Sequence, residues 1–569
     1  MSEKVEMKQL EDGSEGDNPL NFLMDCVGAD GKFQSRFNYT YNMGFMMING
    51  MSALTLILAL TSQEHWCHVP GRSDTNLTLT QWKELTVPRV QQEEDEASFS
   101  KCNMFNFSLP LDISYLEKGW NESHAEIVPC QHGWDYDTTW YTQTVTSQED
   151  WVCDKELYVP NTLLFAKVGE VLGEMFIGQM GDAIGRRPVM FLGVLLLVLG
   201  RCVAVFSAGI YTLFLAANVV SSLPAGVIFQ SPLIIGMEIS SVQKRAHIAL
   251  LQCVGWTAGI CLTPMVAWAT GGRWKVFTIL SSVPCALIFL AYKSFPESPR
   301  WYISRGRTKE CLRMLQRIAI ENGTALPENA AELLKKLEGK KETVYGAASF
   351  LSNRRLFRNT VLMCSCLALV LVMNFTIILC VASMSGNPFL NMFLQSLVEF
   401  PGFLAGRFIC DRFGRRWSQA GAYCVAAVLL FICTLTVAEQ HLTQLLIVLI
   451  LFIKFCFTVG AYCAYLQCME IYPTCLRQTG TSLGVLLATS ISTVGPYIVY
   501  LGATVDVRYP YAILVLMCFL AMICGTLLPE TLNQKLPDTI EDSSHFGEDQ
   551  KYWSFPKRKT ETYHRSSNG

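Results

Sequence analysis

Charge is scarce in this chain: of 569 residues only 16% are Asp, Glu, Lys or Arg, against 51% apolar and 11% aromatic. A soluble domain of this length needs a larger charged surface, so an ordinary soluble enzyme is excluded and lipid is the expected surrounding. A concentrated basic face is missing too. Lys and Arg number 45 against 48 Asp and Glu, a net charge of −3, which excludes nucleic acid as a partner because phosphate neutralisation requires clustered cations. The first forty residues lack an apolar core followed by a small-residue cleavage site, so no cleavable signal peptide is expected and the first membrane segment does the targeting. Histidine is rare, eight in all, and mostly in polar loops. Without metal-ligand spacing, a nucleophile elbow or a phosphate loop, no catalytic residue, metal or cofactor is expected.

What the chain has in abundance is long apolar runs. A helix crosses a bilayer with about twenty largely apolar residues, and twelve runs qualify: 43–62, 158–180, 189–208, 211–237, 247–269, 274–293, 359–382, 389–410, 418–438, 442–468, 478–501 and 510–528. Lys and Arg concentrate in alternate connections, fourteen of them between Lys293 and Arg358, so those connections and both termini are expected in the cytoplasm. The resulting organisation begins with a cytoplasmic N-terminal segment 1–42 and a first six-helix bundle 43–294, which includes an extracellular loop 63–157. A cytoplasmic linker 295–358, a second bundle 359–528 and a cytoplasmic tail 529–569 follow. Within the linker, helical spacing of apolar residues predicts amphipathic helices at about 307–320 and 328–338. The tail beyond 532 reads as disordered.

Two parts of the chain repeat each other. Gly178-Gln-Met-Gly-Asp182-Ala-Ile-Gly-Arg186-Arg187 returns as Asp411-Arg412-Phe-Gly414-Arg415-Arg416, 411 − 182 = 229 residues later. Glu238 with Arg245 returns as Glu470 with Arg477, and Pro296-Glu297-Ser298 as Pro529-Glu530-Thr531, at offsets of 232 and 233. Three motifs in one order at one spacing are an internal duplication, and paired membrane bundles around a midplane site are the build of secondary transporters. Each glycine-spaced turn sets a carboxylate and paired guanidiniums at a cytoplasmic helix junction, where they are expected to pair across helices and part when the halves rock. The gating residues are then Asp182, Arg186, Arg187, Glu238, Arg245, Asp411, Arg415, Arg416, Glu470 and Arg477. Glu238 takes Arg245 as its nearby cation, and Glu470 takes Arg477.

The twenty-two cysteines separate by place. Those in apolar runs, such as Cys364, Cys366, Cys456, Cys463 and Cys524, read as small hydrophobes. Cys67, Cys102, Cys130 and Cys153 lie instead in the loop 63–157, beside glycosylation sequons at Asn76, Asn106 and Asn121. That is the composition of an oxidised outer cap, with three disulfide pairings open. Sequons at Asn322, in a basic connection, and Asn374, inside an apolar run, are discounted.

Further text runs from residue 31 to 540: Gly31-Lys-Phe-Gln34, Gly133-Trp-Asp-Tyr-Asp137, Trp151-Val-Cys153-Asp154, Pro296-Glu-Ser-Pro-Arg300-Trp301, Leu397-Val-Glu399-Phe-Pro401, Glu470-Ile-Tyr-Pro473-Thr474 and Leu536-Pro-Asp538-Thr539-Ile540. With the cysteine-rich first loop and the Gly/Asp/Arg turns, it resembles the organic cation and carnitine transporter family of the major facilitator superfamily. The resemblance implies an all-α membrane protein of the major facilitator fold: twelve transmembrane helices in two six-helix pseudo-repeat bundles, with a large extracellular loop between the first two helices. It also implies a plasma-membrane location. In that family the residue seven before the proline of the eleventh helix is commonly Asp in cation carriers and Arg in anion or carnitine carriers; here it is Thr489. An aromatic often found in the seventh helix is here Asn374, followed by Phe375. Altered selectivity is expected.

Ionisable groups within apolar runs are costly and point to function. Lys454 lies sixteen residues before Glu470, about 24 Å from the cytoplasmic boundary at the helical rise. It is expected either to anchor a substrate carboxylate or to pair with Glu399. Lys167, Glu170 and Glu174 share one face of the second run, and Glu170 matches the depth of Arg201 in the third, which predicts an ion pair between those two. Trp256, Phe375, Tyr462 and Tyr465 offer rings to an ammonium, while Gln230, Gln252, Asn374, Gln467 and Thr489 offer hydrogen bonds. With Glu399 and Lys454 they form the candidate substrate cavity. The expected function is alternating-access transport of a small organic cation or zwitterion, choline-, carnitine- or biogenic-amine-like. The bilayer is the other partner; a co-transported ion and a homo-oligomer through the outer loop are left open. The alternatives are an organic-anion transporter of the same family and a transport-inactive receptor, the latter disfavoured by two intact sets of gating residues.

Overall fold

The computed structural model describes residues 19–90, 98–107, 126–241, 244–337, 347–382, 384, 386–473, 476–532, 534, 537, 540–548 and 550. Twelve long helices carry the apolar runs. In the first half they are α1 (Lys32–Ala59), α2 (Tyr158–Ile184), α3 (Arg186–Phe206), α4 (Tyr211–Ile239), α5 (Arg245–Ala269) and α6 (Trp274–Ala291). In the second half they are α7 (Arg354–Ala382), α8 (Pro388–Leu397 continuing as Glu399–Phe413), α9 (Arg415–Thr436), α10 (Thr443–Ile471), α11 (Arg477–Ser492 continuing as Gly495–Thr504) and α12 (Tyr509–Leu527).

All except α2 and α8 are long and apolar enough to cross a membrane by composition alone. Those two fall short because they hold Lys167, Glu170 and Glu174 in one case, and Glu399, Arg407, Asp411 and Arg412 in the other. They occupy the same place in each half, but the charges differ in position: at an offset of 233 residues Lys167 and Glu170 correspond to Phe400 and Phe403. A second echo is steric. Gly169 and Gly173 let α2 close on Val219 and Leu223 of α4, and Gly402 and Gly406 let α8 close on Thr458 and Tyr462 of α10. The two glycine pairs are 402 − 169 = 233 and 406 − 173 = 233 residues apart.

Helix α1 begins at Lys32, ahead of its apolar run, because its first polar residues are satisfied inside the protein. Gln34 donates to the Ile239 carbonyl at 3.1 Å, and Asn42 donates to Asn38 at 2.8 Å. Hydropathy reads such residues as exterior; hydrogen bonding makes them interior.

The core is divided. One buried cluster unites Met363, Tyr423, Phe457, Tyr472 and Leu514 within the second half, and another unites Phe37, Met190, Ile235 and Phe295 with the linker residues Cys311, Leu315 and Ile318. A third joins the halves at the end that carries the long loop, with Leu58, Ile260 and Phe277 packed against Leu379, Phe389 and Met392.

The long loop builds three short antiparallel strand pairs: β1 (His65–Cys67) with β6 (Trp134–Tyr136), β2 (Arg89–Val90) with β3 (Ser98–Phe99), and β4 (Asn103–Phe105) with β5 (Ile127–Pro129). Disulfides join Cys67 to Cys130 and Cys102 to Cys153. Asn76 and Asn106 are exposed, whereas Asn121 lies outside the described residues. The bridges close segments of 63 and 51 residues, each worth about 4 kcal/mol by loop-closure entropy. Surface expression of Cys67→Ser and of Cys67→Ser/Cys130→Ser should therefore fall equally, and Cys67→Ser/Cys102→Ser should fall further; equal loss in all three would overturn the pairing.

The linker forms helices Pro299–Ser304, Thr308–Asn322 and Ala330–Leu337, close to the spans read from periodicity. Asn322 ends the second of these with its amide donating to the Val27 and Gly28 carbonyls and to Gln34, and accepting from the Phe33 amide. The expectation of a disordered tail is corrected at its described residues: Ile540–His545 is helical, the Gln550 side chain exchanges two hydrogen bonds with the Glu530 backbone, and Glu548 reaches Arg355 at 3.5 Å. Backbone pairing orders a segment that composition alone reads as solvated.

Candidate functional site

In the interior of α10, nearer its first end, the Lys454 ammonium is 2.8 Å from Glu399 of α8 and donates to Asn374 Oδ1 of α7 at 3.1 Å. The lysine side chain is 3% exposed and the glutamate 12%. Counting along α10, Lys454 lies about 16 Å from one helix end and about 26 Å from the other at 1.5 Å per residue, too deep to snorkel to either surface. Asn374 turns its amide so that nitrogen donates to the Val370 carbonyl at 3.0 Å and oxygen faces the lysine. That pairing accounts for the amide where the resembling family often has an aromatic ring. Helix α8, which carries Glu399, packs against α5, so the triad lies beside the first half of the protein.

The opposing wall is only partly as expected. Lys167 pairs with Glu170 at 2.7 Å and sits 4.7 Å over the Phe375 ring, a cation–π contact between α2 and α7. Arg201 donates to Asn218 of α4 at 3.0 Å, which corrects the expected direct Glu170–Arg201 pair: Glu170 is taken by Lys167 and acts on Arg201 only through space. Trp256 meets Phe229 edge-on at 5.4 Å. Tyr465 is 36% exposed; Gln230 is exposed and Thr489 buried. Tyr462 packs on Gly406. Gln252 and Gln467 leave the cavity set, because both are buried and donate to the Phe229 and Pro529 carbonyls at 2.6 and 2.9 Å. A contact that sequence reading missed bridges the halves near the loop side: Tyr497 of α11 donates to Asn161 of α2 at 2.7 Å.

At the linker side the duplicated motifs form two matching clusters. Arg186 pairs with Glu238, whose other oxygen accepts from Ser298. Arg415 engages Glu470 through two nitrogens at 3.0 Å, and the same carboxylate accepts from Thr531. The backbone amides of Arg186 and Arg187 donate to Glu297, and those of Arg415 and Arg416 to Glu530. Burial raises the Glu297 carboxyl above the usual carboxylate range against the pull of these amides.

The partners of Glu238 and Glu470 are thus the motif arginines, not Arg245 and Arg477; Arg477 instead approaches the Tyr472 carbonyl at 3.5 Å. Asp411 is an i, i+4 neighbour of Arg415 at 3.5 Å, whereas the Asp182 side chain lies outside the described residues. Each cluster ties three helix ends of its own half. Among the described residues, the bonds named here each lie within one half, so rocking the halves against each other does not require them to break.

Residues 124–541 match the sugar (and other) transporter family. The chain belongs to that family. It is accordingly a multi-pass membrane transporter and not an enzyme. The carcinine transporter of Drosophila melanogaster is 28% identical over 559 residues, covering 94% of this chain and 80% of the relative. The human organic cation/carnitine transporter 2 is 26% identical over 523 residues, covering 90% and 92%. Among solved structures, the inward-open xylose transporter XylE of E. coli aligns with a TM-score of 0.52 at 16% identity, covering 71% of this chain and 92% of that one. That likeness gives the fold, which is the major facilitator fold.

Proposed function

We propose that the protein moves small organic cations or zwitterions across the plasma membrane by alternating access, and that Lys454, Glu399 and Asn374 form the centre of its substrate site. The observation that carries this reading is a buried ion pair in the interior of the helices, beside the other half of the protein. A paired site of both signs suits a substrate carrying an ammonium, a carboxylate or both, and fits the neutral Thr489. Phe375, Trp256 and Tyr465 supply rings for the ammonium. The linker side, rich in Lys and Arg, is assigned to the cytoplasm together with both termini, and the disulfide-bonded loop to the outside. The Arg186 and Arg415 clusters brace each half as a rigid body, which is what pivoting about a shared site demands.

Radiolabelled carcinine, carnitine and choline should accumulate in proteoliposomes that hold the purified protein, with unlabelled zwitterion competing. Accumulation should be measured with and without sodium and with the membrane potential clamped. Uptake of none of the three while binding persists would replace the transporter of cations by a receptor, and uptake of anions alone would favour the organic-anion reading.

A further inference from the structure

Away from the midplane site, a groove of ≈ 580 Å³ opens at the linker end of the first half, where α1, the end of α6 and the linker helix Thr308–Asn322 meet. Phe33, Phe37 and Tyr41 of α1 back it, with Phe37 and Tyr41 5.0 Å apart; all three are packed into the core and present only their edges to the groove. Leu290 of α6 forms a side wall and is 86% exposed, and Leu287, a turn earlier, is 57% exposed. That side of the groove therefore faces hydrocarbon. The rim is cationic. Arg36 lies 2.8 Å from Glu321 with its own side chain 59% exposed, and Arg317 donates to the Lys293 carbonyl at 3.1 Å. Two guanidiniums against one carboxylate leave the rim net positive, and each guanidinium has five N–H donors, more than these contacts use.

We propose that this groove binds an anionic phospholipid of the linker-side leaflet, with the phosphate on Arg36 and Arg317 and an acyl chain running past the edges of the α1 rings and out along Leu290. Arginine holds phosphate through two parallel hydrogen bonds, and basic pockets between membrane helices at this level select anionic headgroups. A free phosphate would gain nothing from the ring edges or from the lipid-facing wall. Because the linker helix is one wall of the groove, a bound lipid ties the linker to the first half, and the charge of the leaflet then adjusts that attachment.

The test uses the full-length protein in detergent, with phosphatidylserine or phosphatidylcholine added, read by native mass spectrometry and by thermal midpoint. Phosphatidylserine should be retained and should raise the midpoint; phosphatidylcholine should do neither. Arg36→Gln/Arg317→Gln should weaken retention about 25-fold, roughly fivefold per arginine. Arg317→Gln alone, which leaves the Arg36–Glu321 pair in place, should give about the fivefold part. Glu321→Gln breaks the same pair but removes the competing carboxylate, so retention should hold or increase. Equal retention of the two lipids, no loss in the arginine variants, or an equal loss in Glu321→Gln would overturn the proposal.

Discussion

Uptake should disappear in Lys454→Met, and most of the protein should fail to reach the cell surface. Removing the ammonium strands the Glu399 carboxylate, 12% exposed and 2.8 Å from where its partner was. Breaking one side of a buried pair costs about 3–5 kcal/mol, several times more than the pair itself contributes over an uncharged replacement. The double variant Lys454→Met/Glu399→Gln removes both charges, and its surface level should return to within about twofold of the parent. Its uptake should not return, because a neutral pair has nothing to offer a charged substrate. Surface biotinylation together with radiolabelled uptake separates the two effects. A double variant that transports normally would reduce the pair to a structural role and remove the central residues from the proposed site.

Almost as large a loss is expected for Gly414→Ala. Gly414 has φ +86° and ψ 165°, and its counterpart Gly185 has φ +120° and ψ 148°, a region that only glycine enters freely. Placing a side chain there costs about 1–3 kcal/mol in backbone strain alone. A Cβ at either glycine also meets the carboxylate of Glu530 or Glu297 closer than any real contact allows. The glutamate would have to withdraw from the backbone amides of Arg415 and Arg416 or of Arg186 and Arg187, which loosens the junction that the arginine cluster holds. Gly414→Ala and Gly185→Ala should each lower surface expression at least tenfold, equivalent to about 1.4 kcal/mol or more. Gly421→Ala, on the same helix as Arg415 and with open space beside it, should be neutral or slightly stabilising because alanine favours helix. Equal tolerance at 414 and 421 would remove the glutamate-cradle account of these turns.

The two clusters also show where sequence reading reached its limit. The repeat of Glu297-Ser298 as Glu530-Thr531 was visible as text, and it marked the right residues. Their partners were not visible, since Arg186 and Glu238 are 52 residues apart and Arg415 and Glu530 are 115 apart. A separation of seven residues suggests Arg245 for Glu238, yet closeness in sequence across a helix junction says nothing about which other helix end arrives beside it. Glu170 and Arg201 are matched in depth and within electrostatic reach, yet their direct partners are Lys167 and Asn218. Gln467 failed for a related reason: an amide in an apolar run looks like a ligand group until the carbonyl it satisfies is known. Pairing with Glu399 is one of several readings the sequence allows for Lys454, and Asn374 belongs to the candidate cavity without any sign in the sequence that it holds that lysine.

Composition, the periodicity of apolar runs and the internal echo were enough to determine that this chain is a duplicated bundle of membrane helices, because burial in lipid imposes length and polarity on each segment separately. The alternate placement of Lys and Arg likewise belongs to the sequence. Only the tertiary structure decided which carboxylate meets which cation, that Arg186 pairs with Glu238 and Arg415 with Glu470, how the four loop cysteines pair, and that the central lysine is held by α7 and α8 together. Those are contacts between segments far apart in the chain, and they depend on the rotation of each helix about its own axis, which hydropathy does not encode.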